Sequence, residues 1–300
     1  MSSKNLGHLR LIIFFTVIIY LLSFITPDTD LEILNINILQ FVLFYVWIVQ
    51  IIGFIFGFIY QTERYYDFIG SLTYSSSTLI IYFSLPAKSL TDSILLILVL
   101  TWSLRLGLFL FRRILEDGHD TRFDKPKQSF FHFLQYWTGQ AMWVSFTCIA
   151  VYVAMISQEN NALSTVSLIG LFIWVAGFVI EVVSDSQKRN FRKDLNNKGR
   201  FISTGLWSRS RHPNYFGEIT LWVGISVISL SSLSGIGYVA LISPFFVYAL
   251  LSKGSGIPLL ERSADKKWGN ESDYQLYKKD TPVLFPKLFN NIKQSNDNGN

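Results

Sequence analysis

The nine residues at 210–218, SRHPNYFGE, gather the side chains of this sequence that are best suited to chemistry. They combine Arg211, His212 and Glu218, and the apolar run ITLWVGISVISL follows directly. Polar and ionisable groups at membrane depth are costly to bury, so their presence there indicates a functional site. A basic membrane flank followed by a helix that Pro213 initiates would explain the cationic residues, but it would leave Glu218 unexplained.

The composition is that of a chain suited to a lipid environment. Half of the 300 residues are apolar, 16% are aromatic and 16% are charged, whereas a typical soluble domain has about 25% charged residues. The mean hydropathy is +0.34. We therefore predict an all-α, polytopic membrane helix bundle of about seven to eight transmembrane helices, with cytosolic loops and a C-terminal tail.

Eight apolar runs approach the roughly 20 residues that a helix needs to cross about 30 Å of hydrocarbon. They are Leu9–Ile25, Ile38–Tyr60, Ile69–Leu85, Ile94–Phe111, Phe131–Ile156, Leu163–Val183, Tyr215–Leu233 and Tyr238–Leu251. The third run is a weak candidate because its first half is polar. The last is also weak because it is short and contains Pro244.

The distribution of Lys and Arg predicts the orientation of the chain. If the N-terminus is cytosolic, nearly all of the 26 basic residues fall in cytosolic segments, while the loops at 26–37 and 157–162 carry acids and no Lys or Arg. This positive-inside bias predicts that both termini are cytosolic. Anionic lipid beside the basic loops accounts for the net charge of +5, so binding to nucleic acid is not needed to explain it.

Further ionisable groups lie within or beside the predicted spans. Arg105 is in the middle of a span, where it could pair with an acid such as Glu181 or Glu218 or contact a cofactor. Glu181 and Asp185 are four residues apart and project from one face of the sixth helix. Arginines that bind phosphates, together with acids that accept from ribose hydroxyls, suit a dinucleotide or nucleoside cofactor; a charge-balanced helix junction is the alternative.

Several common sites are absent from the sequence. The four histidines and the single Cys148 form no zinc motif, so we predict no metal site. Neither a Gly-x-Gly-x-x-Gly fingerprint nor a Walker A motif is present, so any nucleotide site is not of the Rossmann or P-loop type. The spacing Gly53-x-x-x-Gly57 indicates helix packing and nothing more.

The segment Gly205–Glu218, GLWSRSRHPNYFGE, resembles the signature of the steroid 5-alpha-reductase C-terminal superfamily, and the DUF1295 branch is the nearest match. The spacing of Glu181, Asp185, Arg192 and Gly199-Arg200 is similar too, as is the tail that begins with Gly256-Ile-Pro-Leu-Leu-Glu261. The resemblance covers about residues 60–287. It divides the chain into N-terminal transmembrane helices at 1–60, a steroid-reductase-like domain at 61–287 and a disordered tail at 288–300.

The resemblance implies an all-helical, NADPH-dependent membrane reductase. Such an enzyme takes its cofactor from the cytosol and adds hydride to the beta carbon of a lipophilic enone that enters from the bilayer. The matched positions that would hold NADPH are Asp185, Arg192, Arg200, Asn214 and Glu218. His212 and Tyr215 would line that site, and Tyr274 would lie in the tail that covers it. From their charge and position, we add Arg105 and Arg211 as candidate cofactor contacts.

The resemblance also points to a catalytic pair. In the steroid enzymes a Glu and a Tyr polarise the substrate ketone; here Asp67 aligns near the first and Trp102 near the second. An indole N–H cannot replace a phenol in that role. We therefore predict Asp67 and Tyr66 as the catalytic pair, with Tyr74 as a second candidate phenol. An interfacial tyrosine anchor is the alternative for the tyrosines at this membrane boundary.

Two other functions stay open. A similar Arg-His-Pro-x-Tyr signature occurs in membrane methyltransferases of the isoprenylcysteine carboxyl methyltransferase kind. These bind S-adenosylmethionine and carry a Glu-Glu pair where this chain has Glu261-Arg262. The third function is that of a lipid-binding protein without catalysis. Analogy with the family predicts the endoplasmic reticulum membrane, and a bacterial inner membrane would fit the same charge bias.

Overall fold

The computed structural model describes residues 3–27, 29–157 and 163–287, and within them the chain is almost entirely helical. Its α-helices are α1 Ser3–Leu22, α2 Ile38–Ile59, α3 Tyr66–Ser84, α4 Leu90–Asp117, α5 Phe130–Ser157, α6 Thr165–Lys193, α7 Pro213–Ser229, α8 Ser243–Ala249, α9 Ile257–Trp268 and α10 Ser272–Asp280. Two short strands, β1 Glu32–Ile33 and β2 Ile36–Asn37, pair in antiparallel fashion. The predicted all-α architecture is confirmed, whereas the predicted disordered tail at 288–300 lies outside the described residues.

Seven helical segments of the described chain are long and apolar enough to cross a membrane. They are Ser3–Leu22, Ile38–Ile59, Leu90–Asp117, Phe130–Ser157, Thr165–Lys193, Pro213–Ser232 and Gly235–Trp268. Seven of the eight predicted runs overlap these segments. The third run forms the helix α3, which is not among them, in keeping with its polar first half.

The chain divides into two compact units. The first unit comprises Met1–Phe172 and Trp222–Val247, and the second comprises Ile173–Leu221 and Tyr248–Asn300. Since α6 and α7 each contribute to both units, this division differs from the sequence-based segments, which followed the extent of the family resemblance.

The helix α5 is the centre of the first unit, because 83% of its most apolar stretch is buried. Its partner α2 can approach closely because Gly53 and Gly57 face the rings of Trp137 and Phe133; a Cβ at Gly57 would lie 3.1 Å from the ring of Phe133. These contacts confirm that the Gly-x-x-x-Gly spacing serves helix packing.

Several polar side chains of α3 are hydrogen-bonded inside the first unit. The side-chain amide of Gln50 donates to Thr73 Oγ1 at 2.8 Å, and Ser77 Oγ lies 2.6 Å from Tyr152 Oη. Buried hydroxyl and amide groups are costly unless they are hydrogen-bonded, so the neighbours of α3 explain how a polar helix is tolerated here. This is the physical reason why the third run is weakly apolar.

Glycines also bring the backbones of α6 and α7 together. In the second unit, a Cβ added to Gly217 would lie 2.6 Å from Glu181 N and 2.7 Å from Gly177 O. In the first unit, a Cβ added to Gly170 would lie 2.8 Å from Gly224 O. The pairing of 177 with 217 and of 170 with 224 makes the two helices antiparallel, and it leaves no space for side chains at these positions.

The last apolar segment is an irregular helix. A 3₁₀ stretch at Gly235–Ile242 leads into α8, and a π turn at Leu250–Gly254 leads on towards α9. Pro244 is the second residue of α8, where its missing N–H breaks no intrahelical bond. This position explains why the proline occurs within the eighth predicted run.

Candidate functional site

All of the predicted cofactor contacts except Arg105 lie in the second unit. Three parts of the chain carry them: the end of α6, the start of α7 with the linker before it, and the tail that includes α9 and α10. The residues of this set are Asp185, Arg192, Arg200, Arg211, His212, Asn214, Tyr215, Glu218 and Tyr274. Ionisable residues far apart in the sequence are thereby placed in one compact body.

Buried acids lie where α6 and α7 pack together. Glu181, Asp185 and Glu218 are 2%, 7% and 7% exposed, respectively. The side-chain amide of Asn214, in the first turn of α7, donates to Asp185 Oδ1 at 3.3 Å. The glycine contact between the helices positions these groups, because Gly217 lies directly against the backbone of Glu181. The expectation that Glu181 and Asp185 share a buried helix face is consistent with their burial.

A carboxylate of the tail, that of Glu261, contacts two basic residues of the 210–218 segment, Arg211 and His212. Glu261 Oε2 lies 3.2 Å from Arg211 Nη1, and Glu261 Oε1 lies 2.9 Å from His212 Nε2. Lys278 Nζ is 3.8 Å from the same carboxylate. Glu261 thus contacts three basic side chains, of which Lys278 also binds Asp265 at 2.6 Å. We call Arg211, His212, Glu261 and Lys278 the tail cluster.

His212 is enclosed on several sides. Its ring stacks on that of Tyr215 with centroids 5.7 Å apart and an interplanar angle of 16°, and its backbone N–H donates to Ser210 Oγ at 3.2 Å. Burial lowers the pKa of the imidazole, although the hydrogen bond to Glu261 acts in the opposite direction. A ring with a lowered pKa is neutral near pH 7, so it can lie beside an aromatic group at little cost.

The linker before α7 is fixed by hydrogen bonds to both α6 and the tail. Trp207 Nε1 donates to Ser184 O at 3.0 Å, and Trp207 O accepts from Tyr277 Oη at 2.7 Å. Gln187 Oε1 accepts from Leu206 N at 2.9 Å. Because these bonds reach both neighbours, they determine where the residues that follow, including Arg211, are placed.

Arg192 and Arg200 are both exposed, unlike the acids at the helix crossing. Arg192 lies in the last turn of α6. Arg200 follows Gly199, whose φ of +86° turns the chain in a way that favours glycine. Their assignment as cofactor contacts therefore stays a prediction, and any such contact would be made at the surface of the second unit.

Tyr274 is buried among aromatic residues of the tail and linker. Its ring packs edge-on against Phe201 at 5.3 Å, and its hydroxyl donates to Asp265 Oδ1 at 2.9 Å. Desolvation raises the pKa of the phenol, and the hydrogen bond to Asp265 raises it further. The hydroxyl is thus kept as a neutral donor.

The remaining candidates lie in the first unit. Tyr66 Oη donates to Tyr136 O at 3.0 Å, and its ring packs against Trp137. Asp67 Oδ2 is 3.8 Å from a guanidinium nitrogen of Arg113 and 3.8 Å from one of Arg122, and 26% of its side chain is exposed. The catalytic assignment of Tyr66 and Asp67 stays a prediction.

Arg105 occupies the middle of α4, where its guanidinium lies over the ring of Phe109 at 5.3 Å. The attraction between a cation and an aromatic face offsets part of the free energy that the cation loses when it is removed from water. The predicted cofactor contact of Arg105 is not tested by this geometry.

An aromatic cluster surrounds the tryptophan that takes the place of the expected phenol. Trp102 is 2% exposed, and its ring contacts Tyr74 at 5.1 Å and Trp222 at 5.0 Å, both edge-on. The alternative phenol, Tyr74, is therefore in direct contact with Trp102. This neighbourhood keeps Tyr74 a candidate for the role that the indole cannot fill.

A second ionic network lies in the first unit, at the junction between α2 and α3. Glu63, whose side chain is 5% exposed, pairs with Lys127 and accepts a hydrogen bond from Asp120 N at 3.0 Å. Asp120 in turn holds Arg122. Burial opposes ionisation of Glu63, but the bonds to Lys127 and to the Asp120 backbone outweigh it and lower the pKa of the carboxyl.

An apolar cavity of about 310 Å³ lies in the second unit. It is lined by Tyr248, Ser252, Ile257, Pro282, Val283, Leu284 and Phe285. The same tail stretch contacts the linker, because Pro282 O accepts from Arg211 N at 2.9 Å. Its lining suits an apolar group better than a nucleotide.

Sequence reasoning missed Glu261 and Lys278 as site residues. Glu261 was noted only as the place where this chain departs from a Glu-Glu pair, and nothing local marks Lys278. A signal existed in the tail motif around Gly256, which belongs to the family resemblance. That motif indicated that the tail belongs to the functional domain, but not which basic residues Glu261 contacts.

Taken together, the second unit offers cations, a neutral imidazole and a carboxamide beside buried acids. Guanidinium groups bind phosphates, while carboxylate and amide oxygens accept from ribose hydroxyls. These are the types of side chain that could hold a phosphorylated nucleotide without a Rossmann fold or a P-loop.

Comparison with known proteins gives a family and several relatives. A family model described as a protein of unknown function, DUF1295, matches residues 53–281. The 3-oxo-5-alpha-steroid 4-dehydrogenase 1 of Macaca fascicularis is 30% identical over 122 residues, 41% of either chain. The same-named protein of Rattus norvegicus is 29% identical over 119 residues, 40% of either chain.

A relative with a different name is also found. The probable O-methyltransferase ustE of Ustilaginoidea virens is 31% identical over 123 residues, 41% of either chain. The chain thus spans about two-fifths of the length of these curated relatives. No solved structure matches it.

Proposed function

The chain belongs to the DUF1295 family, and from that premise we propose that it is a multi-pass membrane reductase that uses NADPH. Its substrate would be a lipophilic molecule, such as a sterol-like or other lipid enone, whose C=C bond is conjugated to a carbonyl. The relatives named as steroid dehydrogenases support the reductase class.

The observation that supports this proposal is that the second unit brings together side chains of the types that bind phosphate and hydroxyl groups. Arg211 and His212 are held by one tail carboxylate, and Asn214 is bonded to the buried Asp185. Glu218 lies buried one turn further along α7. A charge-balanced helix junction would not require a buried guanidinium nitrogen, Arg211 Nε, without an acceptor among the described residues.

The side chains present fit a phosphorylated cofactor. Arg211 Nε has no hydrogen-bond partner among the described residues, although the side chain is only 11% exposed. A buried charged donor without an acceptor is costly, and a phosphate oxygen would satisfy it. We propose that Arg211, Arg192 and Arg200 bind phosphate groups, and that Asp185, Asn214 and Glu218 bind ribose or amide groups.

When bound, NADPH supplies a hydride. The part of the chain's own residues would be to polarise the acceptor carbonyl by donating a hydrogen bond to its oxygen. We propose Tyr66 for this role, with its hydroxyl exchanging the bond to Tyr136 O for one to the substrate, and Asp67 as a second donor in its protonated form. Tyr74 beside Trp102 is the alternative phenol. A donor at the carbonyl stabilises the enolate charge that develops on the oxygen as the beta carbon accepts hydride, and a proton from water at the alpha carbon completes the reduction.

Methyl transfer is the second candidate function. The similarity to the probable O-methyltransferase of Ustilaginoidea virens favours it. Such a function would need a site for S-adenosylmethionine, which carries no phosphate. The arginines of the second unit would then have no phosphate to bind, and this is why we rank reduction first.

Ligand binding to the purified full-length chain in detergent separates these functions. We expect calorimetric binding of NADPH and a rise in unfolding temperature, with little response to S-adenosylmethionine. The reverse pattern would favour methyl transfer. A response to neither ligand would favour a lipid-binding protein without catalysis.

Two substitutions test the site within this assay. Asn214→Ala and Glu218→Ala each remove a group proposed to hydrogen-bond the cofactor, so each should weaken NADPH binding by about 10-fold to 150-fold. Asn190→Ala, an exposed position on α6, is the matched control. NADPH affinities in both variants equal to that of the control would refute the site.

We propose that α3, with its 19 residues, crosses the membrane as an eighth span, so that the basic loops and both termini face the cytosol, in the endoplasmic reticulum of a eukaryote or the inner membrane of a bacterium. The single native thiol, Cys148, is buried, so introduced cysteines can report topology. Leu195 in the linker is 83% exposed and Leu34 before α2 is 80% exposed. An impermeant thiol reagent on the cytosolic side should label Leu195→Cys and not Leu34→Cys. The opposite pattern would reverse the orientation, and equal labelling of the two would mean that α3 does not cross.

The substrate class is testable by lipid analysis of cells that lack the chain. An unsaturated lipid should accumulate whose reduced partner, heavier by two hydrogens, is depleted. If the lipids of these cells are unchanged although the purified protein binds NADPH, the substrate should be sought among other lipophilic carbonyl compounds.

A further inference from the structure

The carboxylate of Glu261 is the hub of the tail cluster. One of its oxygens is 2.9 Å from His212 Nε2, and the other is 3.2 Å from Arg211 Nη1 and 3.8 Å from Lys278 Nζ. The side chain is 19% exposed, so these contacts are only partly screened by solvent. Glu261 therefore contacts two neighbouring residues of the 210–218 segment, Arg211 and His212, from a position about 50 residues later in the chain.

The backbone of the tail reinforces this arrangement. Pro282 O accepts from Arg211 N at 2.9 Å, and Leu284 O accepts from Ser210 Oγ at 2.7 Å. One residue earlier in the linker, Arg209 O accepts from Lys287 N at 3.0 Å. The main chain at Arg211 is thus fastened by residues 282–287, while its side chain is fastened by Glu261.

The guanidinium of Arg211 is only partly used by these contacts. Nη1 is held by Glu261, but the buried Nε has no acceptor among the described residues. The planar fork of a guanidinium binds phosphate best when its orientation is already fixed. Since a carboxylate on one edge restricts rotation of the fork, the other edge is presented in a defined direction.

We infer that Glu261 is a positioning residue for the cofactor site: it orients Arg211, with His212 beside it, so that the free edge of the guanidinium receives a phosphate group of the nucleotide. Glu261 itself does not contact the phosphate, because two anions would repel each other and both of its oxygens are engaged. This inference rests on the proposed function, since it concerns the binding of NADPH.

The same helix offers a matched control. Asp265 lies one turn after Glu261 in α9, and its carboxylate also binds Lys278, at 2.6 Å, and the hydroxyl of Tyr274. Its side chain is 46% exposed. Asp265→Asn removes the same charge from the same helix as Glu261→Gln, but no direct contact joins Asp265 to Arg211 or His212 among the hydrogen bonds and ion pairs of the described residues.

The experiment measures binding of NADPH and NADH by calorimetry to the full-length protein in detergent, with the unfolding temperature of each ligand-free variant. Glu261→Gln should weaken NADPH binding at least tenfold, and Asp265→Asn by no more than about twofold. In a double-mutant cycle, Glu261→Gln should add little once Arg211→Gln is present, because the two residues act through one contact.

Each outcome is decisive. If the wild-type protein binds no NADPH, the proposed function fails and the role of Glu261 fails with it. If the wild type binds but Glu261→Gln matches Asp265→Asn, or if the losses in the cycle are additive, the positioning role is overturned while the proposed function stands. A loss confined to NADPH would place Arg211 at the 2'-phosphate, and an equal loss with NADH would place it at the pyrophosphate; both support the inference.

A second variant keeps the test sharp if Glu261→Gln unfolds. Arg211→Lys keeps the charge that faces Glu261 but has neither the Nε–H nor the fork. It should retain the wild-type unfolding temperature within a few degrees and lose at least tenfold in NADPH affinity. Wild-type affinity in Arg211→Lys would overturn the inference.

Discussion

A close contact between α6 and α7 in the second unit predicts the effect of adding one methyl group. In Gly217→Ala, the new Cβ would lie 2.6 Å from Glu181 N and 2.7 Å from Gly177 O. Both atoms belong to the backbone, so no side-chain rotation can relieve the overlap. The helices α6 and α7 must therefore separate or shift along each other.

Two opposing effects decide the size of the change. Replacing glycine by alanine inside a helix stabilises it by about 1 kcal/mol. Overpacking a tight contact costs about 1–3 kcal/mol, and backbone atoms place this position at the upper end. We expect a net loss of about 1–2 kcal/mol in the free energy of unfolding. Gly139 is the control, because its Cβ would meet only a ring atom of Phe15 at 3.5 Å, an ordinary contact.

The assay compares unfolding temperatures of the two variants with the wild type in one detergent, and then NADPH affinity. Gly217→Ala should unfold several degrees lower and Gly139→Ala at the same temperature or slightly higher. NADPH binding should weaken only in Gly217→Ala, because Glu181 and Glu218 flank the contact. Equal stability of Gly217→Ala and the wild type would refute the reasoning that this crossing positions the buried acids.

Three further predictions concern single residues. Burial lowers the pKa of His212, so the unfolded chain binds the imidazole proton more tightly than the folded chain, and stability should fall as the pH drops below about 6.5. His212→Gln should therefore reduce the dependence of the unfolding temperature on pH. An unchanged pH dependence in this variant would contradict the reasoning. Glu63 has a lowered pKa, so its stabilising effect is present at neutral pH and lost as the pH falls through that lowered value; Glu63→Gln leaves Lys127 without its carboxylate and should cost about 1–3 kcal/mol at pH 7 by denaturant titration, and no loss there would count against the network. Tyr66→Phe should lower turnover at least tenfold with NADPH affinity unchanged if the phenol contacts substrate, and wild-type turnover would leave Tyr66 only its bond to Tyr136.

The sequence determined much of the fold. Length and apolar periodicity gave the positions of the spans, because a helix that crosses hydrocarbon must be apolar along its whole length. The weak third run became the helix α3, and the Gly53-x-x-x-Gly57 spacing became a helix contact. The helical spacing of Glu181 and Asp185 fits the burial of both acids.

The tertiary structure alone decided the partners of these groups. Glu261 meets Arg211 and His212, and Gly217 meets Gly177, through contacts between segments that are distant in the sequence. Local periodicity states which face of a helix is apolar, but not which other helix will cover it. Ion pairs and close backbone approaches depend on distances of a few ångströms between separate elements, so only the folded chain fixes them.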